Sequence, residues 1–112
     1  MDKLTIITKI NDMMDDLWQG IDQYPRREKF ALGQDTKNAF LELDQLIVSA
    51  VKKYYKKTTL QQADVALFVL KQFIRLGYKR GYLSTKRYER LSRNVAEIGC
   101  MIGGWIKSQN AK

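Results

Sequence analysis

The sequence predicts an all-α fold: an up-down-up-down antiparallel four-helix bundle formed by one domain over residues 1–112. Three observations carry this reading. Apolar residues recur at steps of three and four in four separate stretches, the spacing that lines one face of a helix. The breaks between those stretches are short and carry helix punctuation, at Tyr24-Pro25, Thr58-Thr59 and Gly81 to Ser84, and short connections make successive helices antiparallel neighbours. Strand-like alternation of comparable length occurs nowhere in the chain.

The first helix is expected from about Lys3 to Gln23, where Leu4, Ile7, Met14, Leu17 and Ile21 share a face that Trp18 widens. Tyr24-Pro25 ends it, because the residue before proline avoids the helical region, while Pro25 itself suits the first turn of the next helix. The second is expected to be long, about Arg26 to Lys56, with Phe40, Leu43, Ile47, Ala50 and Tyr54 on its apolar line. A neighbouring line, Leu41, Val48 and Tyr55, repeats every seven residues. So wide a stripe is either a deeper core contact or a subunit interface, and the interface is favoured because exposed apolar patches usually mark contacts.

Thr58-Thr59-Leu60-Gln61 fits a capping box that starts the third helix. Leu60, Ala63, Leu67, Leu70, Ile74 and Gly77 then step 3-4-3-4-3 until Gly81, a residue suited to the left-handed position after a helix end. Ser84 is placed to cap the fourth helix, whose Tyr88, Leu91, Val95, Ile98, Ile102 and Trp105 repeat the same steps. Gly99, Gly103 and Gly104 interrupt it. Each costs roughly 1 kcal/mol against alanine in a helix interior, so a packing reason is expected, with Gly99 and Gly103 admitting another helix or subunit at close range.

Composition narrows the function. There is one cysteine, Cys100, and no histidine. An intrachain disulfide is excluded, a zinc site would need carboxylates alone, and Ser-His or Cys-His nucleophile pairs cannot form. No metal, cofactor or catalytic residue is assigned, and no Gly-rich phosphate loop is present. The longest purely apolar run, Val65 to Leu70, falls far short of the roughly 20 residues that span a bilayer. With no signal peptide visible at the N-terminus, the expectation is a soluble cytoplasmic protein without a membrane partner.

Charge is the informative quantity. Residues 1–50 hold six basic and nine acidic residues, a net −3, whereas residues 51–112 hold fourteen and three, a net +11. Such asymmetry costs self-repulsion in the folded state and points to a polyanionic partner, nucleic acid foremost. Lys71, Arg75 and Lys79, four apart, project from one stripe of the third helix with Arg80 beside them. Lys86, Arg90 and Arg93 form a second stripe on the fourth, flanked by Arg87. A third group, Lys52-Lys53 and Lys56-Lys57, brackets Tyr54 and Tyr55, and such residues contact phosphates and stack on bases. The bland alternative is a solvated helix surface with the tyrosines in the core.

Three segments carry a resemblance: Arg26 to Gly33 (Arg-Arg-Glu-Lys-Phe-Ala-Leu-Gly), Arg75 to Tyr88 (Arg-Leu-Gly-Tyr-Lys-Arg-Gly-Tyr-Leu-Ser-Thr-Lys-Arg-Tyr) and, most specifically, Ala96 to Lys107 (Ala-Glu-Ile-Gly-Cys-Met-Ile-Gly-Gly-Trp-Ile-Lys). Over almost the whole chain the sequence resembles the accessory variability determinant of diversity-generating retroelements. Cys100 departs from the signature, where an arginine or similar residue is common. The resemblance implies a ring-like homopentamer of four-helix bundles, positively charged and without catalytic activity of its own. Its implied partners are the retroelement reverse transcriptase, the template RNA and the cDNA, in adenine-directed mutagenic reverse transcription that diversifies a target gene. Other readings are a four-helix-bundle protein of the ribosomal RNA intervening-sequence type, a purely structural basic oligomer and, more weakly, peripheral membrane attachment. Gly99, Gly103, Gly104 and Trp105 of the signature join Leu41, Val48 and Tyr55 as the expected packing or oligomer contacts.

Overall fold

A computed structural model of the protein describes residues 3–110; the side chains of Lys3, Leu4 and Asn110 lie outside the described set, so the placement expected for Leu4 does too. The described residues form helices and no strand: α1 (Lys3–Asp22), α2 (Arg26–Lys29), α3 (Leu32–Lys52), α4 (Lys57–Lys79) and α5 (Thr85–Asn110). Four are long and α2 is a single turn. Each long helix packs on its neighbours in the chain, and α1 closes the arrangement against α5, giving a bundle of 48 × 23 × 20 Å.

In α4 and α5 the core lines are those that spacing predicts. Leu60, Ala63, Leu67, Leu70, Ile74 and Gly77 are all buried, as are Leu91, Val95, Ile98, Ile102 and Trp105, while Tyr88 is half-buried at the edge of the core. In α1 the expected line holds at Leu17 and Ile21 and is shifted by one position earlier in the helix. Ile6, Ile10, Met13, Leu17 and Ile21 fill the centre, while Ile7, Met14 and Trp18 pack along its edge. Both lines obey helical spacing, and only the neighbouring helices decide which becomes central. Trp18 meets Phe40 of α3 edge to face, with ring centroids 5.5 Å apart.

The expected second helix is broken at both ends. Pro25, at φ −52° and ψ 143°, caps the one-turn α2 from outside, and Glu28 and Lys29 donate backbone bonds to its carbonyl. The chain then leaves the helical region at Ala31 (φ −114°, ψ −97°) before α3 begins. Gly33 explains the sharpness of this corner: a Cβ there would sit 2.9 Å from Ile21 Cγ2 and 3.1 Å from the Glu28 carbonyl oxygen. At the other end α3 stops at Lys52, since Lys53 is extended (φ −91°, ψ 149°). Tyr54 and Tyr55 therefore fall in the connection and not on a helix, which corrects the core placement of Tyr54.

The capping box at Thr58-Thr59 does not form. Lys56 takes the N-cap position of α4 without a side-chain bond, and Thr59 turns into the bundle, where it is buried. The next corner follows sequence chemistry closely. Gly81 has φ +81°, Gly81 N donates to the Tyr78 carbonyl and Tyr82 N to the Gly77 carbonyl, both at 2.9 Å. These are the paired bonds of a Schellman ending. Ser84 then caps α5 by accepting from Arg87 N at 3.2 Å.

Candidate nucleic-acid interface

The basic side chains separate into three environments. Lys71, Arg75, Lys79 and Arg80 of α4 and its C-cap are exposed, as are Lys86 and Arg93 of α5. Lys71 borders a shallow groove of about 200 Å³ between α4 and α5, lined also by Leu67, Phe68, Val95, Ala96 and Gly99. Because the two helices run antiparallel from the Gly81 corner, Lys79, Arg80 and Lys86 gather at that end of the bundle.

Arg87 and Arg90 belong to a different environment. Both are half-buried and turned toward α1, where Asp16 receives them. Arg87 Nη1 donates to the Asp16 carbonyl oxygen and to Oδ1, each at 2.6 Å. Arg90 grips the same carboxylate in a fork, Nη2 to Oδ1 at 2.8 Å and Nε to Oδ2 at 3.1 Å. Hydrogen bonding to Asp16, then its charge, holds the Arg90 guanidinium above its ordinary pKa. Bidentate pairing of this kind restrains the planar group geometrically, so these two arginines fasten α1 to α5. Further along the same seam Lys9 donates to Glu97.

The third group lies at the far end of the bundle. Lys52 and Lys57 are exposed. Lys53 Nζ donates to Thr59 Oγ1 at 3.2 Å. Lys56 is buried, its ammonium 5.1 Å from the centre of the Trp105 ring, an arrangement that favours a cation over an aromatic face. The twelve basic residues expected to bind nucleic acid are thus not one patch. Six line the α4–α5 side, two clamp α1, and four cluster around the α3–α4 connection, where Lys56 is turned inward.

The expected packing residues also divide. Leu41 and Val48 of α3 and Tyr55 are exposed, whereas Trp105 is core. A Cβ on Gly99 would meet Leu67 Cδ2 at 3.4 Å, ordinary contact, and among the described residues nothing lies within 4 Å of one on Gly103 or Gly104. Among the described residues no neighbouring helix accounts for those two glycines. Sequence reasoning missed an apolar row on α4: Val65, Phe68, Val69 and Leu76 are exposed, the first two by 65% and 61%. Their steps of three, four and seven were a visible signal, hidden behind the stronger core line of the same helix. Asp16 was missed for another reason, since nothing local links it to residues more than seventy positions away.

Among the described residues no group of three His, Cys, Asp or Glu is placed to hold a metal ion, and no helix is long and apolar enough to cross a membrane. No curated protein matches the chain. A family model, bAvd-like, matches residues 4–109, nearly the entire bundle, including the α5 glycine tract and both faces of the α4–α5 basic side. The chain belongs to the bAvd-like family, that of the accessory variability protein of diversity-generating retroelements.

Proposed function

We propose that the protein is a non-catalytic accessory subunit, a basic homopentamer that holds template RNA close to the retroelement reverse transcriptase during mutagenic reverse transcription. The observation that carries this is the exposed row Lys71, Arg75, Lys79 and Arg80 beside Lys86 and Arg93. These cations have no carboxylate partner among the salt bridges of the described residues. Ion pairing instead consumes Arg87, Arg90 and Lys9, leaving the α4–α5 side with a net positive field. Repeating that field around a ring would multiply weak phosphate contacts into avid binding. Exposed apolar rows on α3 and α4, with the open glycines of α5, supply surface for the subunit contacts.

Binding of a labelled structured RNA across a salt series, with native mass measured in parallel, tests the reading. A steep linear fall of log K with log salt, by an oligomer, is expected. The informative variant is Lys71→Glu/Arg75→Glu/Lys79→Glu, which removes exposed charge and leaves the Asp16 clamp intact. It should keep its helicity and lose RNA affinity by at least tenfold, with a shallower salt slope. Undiminished affinity would dismiss these residues as the contact.

A further inference from the structure

The connection between α3 and α4 reads Lys52-Lys53-Tyr54-Tyr55-Lys56-Lys57, and no Asp or Glu occurs from residue 45 to residue 63. Two tyrosines sit in its middle, 84% and 88% exposed. Among the described residues no large apolar side chain faces water more fully. Leaving two aromatic rings in water forgoes a substantial burial free energy, so their position calls for a physical cause.

Part of that cause is in the flanks. Lys53 ends α3 in extended backbone and ties its ammonium to Thr59 Oγ1. Lys56 starts α4 and is buried with its ammonium over Trp105. Lys56 turns inward, the exposed Lys53 is tied back to Thr59, and the two tyrosines between them project outward from the end of the bundle. Their rings meet edge to face, 4.8 Å between centroids and 85° between planes. Each ring steadies the other while keeping an open face.

We infer that this connection is a stacking site for unpaired bases, a binding site for single-stranded nucleic acid separate from the α4–α5 basic row. The inference rests on the polyanion-binding reading above and deepens it by naming the strand state. Bases would lie on the open faces of Tyr54 and Tyr55, and the exposed Lys52 and Lys57 would meet the adjoining phosphates. Two perpendicular rings cannot continue one helical stack, so the site suits a strand whose successive bases splay apart. A duplex keeps its base faces inside and offers this site only phosphate. Along the α4–α5 row, by contrast, Tyr78 and Tyr88 are half-buried and stacked on each other, and among the described residues the exposed ring beside the cations is Phe68 alone, so charge outweighs ring surface there.

The test compares the full-length wild type with Tyr54→Ala/Tyr55→Ala, using a uridine 12-mer, which has no stable fold, and a 12-base-pair RNA duplex. The double variant should bind the uridine strand about tenfold more weakly or worse, since stacking on an aromatic ring contributes on that scale per base. Its salt slope should be unchanged because no charge is removed, and its duplex affinity should stay within about twofold of wild type. Tyr54→Trp/Tyr55→Trp, which keeps the stacking faces, should retain single-strand binding. Equal loss for strand and duplex, or no loss for either, overturns the inference while leaving polyanion binding standing. A fall in native mass of the double variant would also overturn it, by making the tyrosines a subunit contact. Failure of the wild type to bind either RNA at low salt would instead defeat the polyanion reading, and this inference with it.

Discussion

Tyr24 shows how much a single hydroxyl can matter in a small core. It is buried, its ring packs against Tyr82 at 5.3 Å, and its hydroxyl has no hydrogen-bond partner. Burial pushes its pKa from 10.0 to about 12. The folded state therefore keeps this proton over a range where the unfolded chain gives it up. Stability from this source is complete below pH 10 and declines as pH rises from 10 to 12, because the unfolded state then binds fewer protons. Tyr24→Phe should raise stability by about 1 kcal/mol at neutral pH, since a buried unpaired hydroxyl is costly. It should also flatten the alkaline decline relative to wild type, as read by denaturant midpoints at pH 8, 10 and 11.5. An unchanged neutral midpoint would mean that water satisfies the hydroxyl.

Asp16 is the counterpart on the polar side. One carboxylate satisfies two half-buried guanidinium groups; its removal strands Arg90 and leaves Arg87 Nη1 with the backbone carbonyl of residue 16. Asp16→Ala should destabilise the fold by about 2 kcal/mol, within the range for losing charged hydrogen bonds, and lower Tm by about 8 °C or more for a domain of this size. Reversing Arg87 and Arg90 to Glu would place three carboxylates together at the same seam. Loss of RNA binding in such a variant would report unfolding as readily as a lost contact.

At the scale of elements, the α1–α2 corner is fixed by what it packs against. A Cβ on Gly77 of α4 would lie 2.2 Å from Tyr24 Oη and 3.4 Å from Leu83 Cδ1. Gly77→Ala should therefore destabilise by roughly 1–3 kcal/mol, the usual range for overpacking. Part of that loss should return in the Tyr24→Phe background, where the nearest atom is gone. Strict additivity in the double-mutant cycle would refute the contact. Gly103 is the opposite case. With none of the described residues nearby, Gly103→Leu should leave the bundle folded, even slightly more helical. Its expected effect is a lower native mass, by blocking close approach of a second copy. Wild-type mass would remove Gly103 from the assembly surface.

Over the whole molecule, the charge asymmetry has two consequences of opposite sign. Fourteen basic residues against three acids in residues 51–112 repel one another across the α4–α5 side and the α3–α4 end. Screening at 0.1 M salt already acts beyond about 10 Å. Raising salt from about 0.02 to 0.3 M should thus increase Tm while weakening RNA binding. A Tm that falls over this range would indicate that the Asp16 and Lys9–Glu97 pairs outweigh the repulsion.

Local chemistry was enough to determine the helical class, the stops at Pro25 and Gly81, the Ser84 cap, the core lines of α4 and α5, and the family signature. Each of these depends on residues within a few turns of one another. Tertiary structure alone decided which line of α1 faces inward, where α3 ends, that Lys56 lies over Trp105, and that Asp16 claims Arg87 and Arg90. Those outcomes depend on the register between helices whose paired residues are up to 88 positions apart, and helical periodicity repeats every turn without specifying that register. The sequence could name the basic residues; only packing could divide them into those that hold the bundle together and those that face solution.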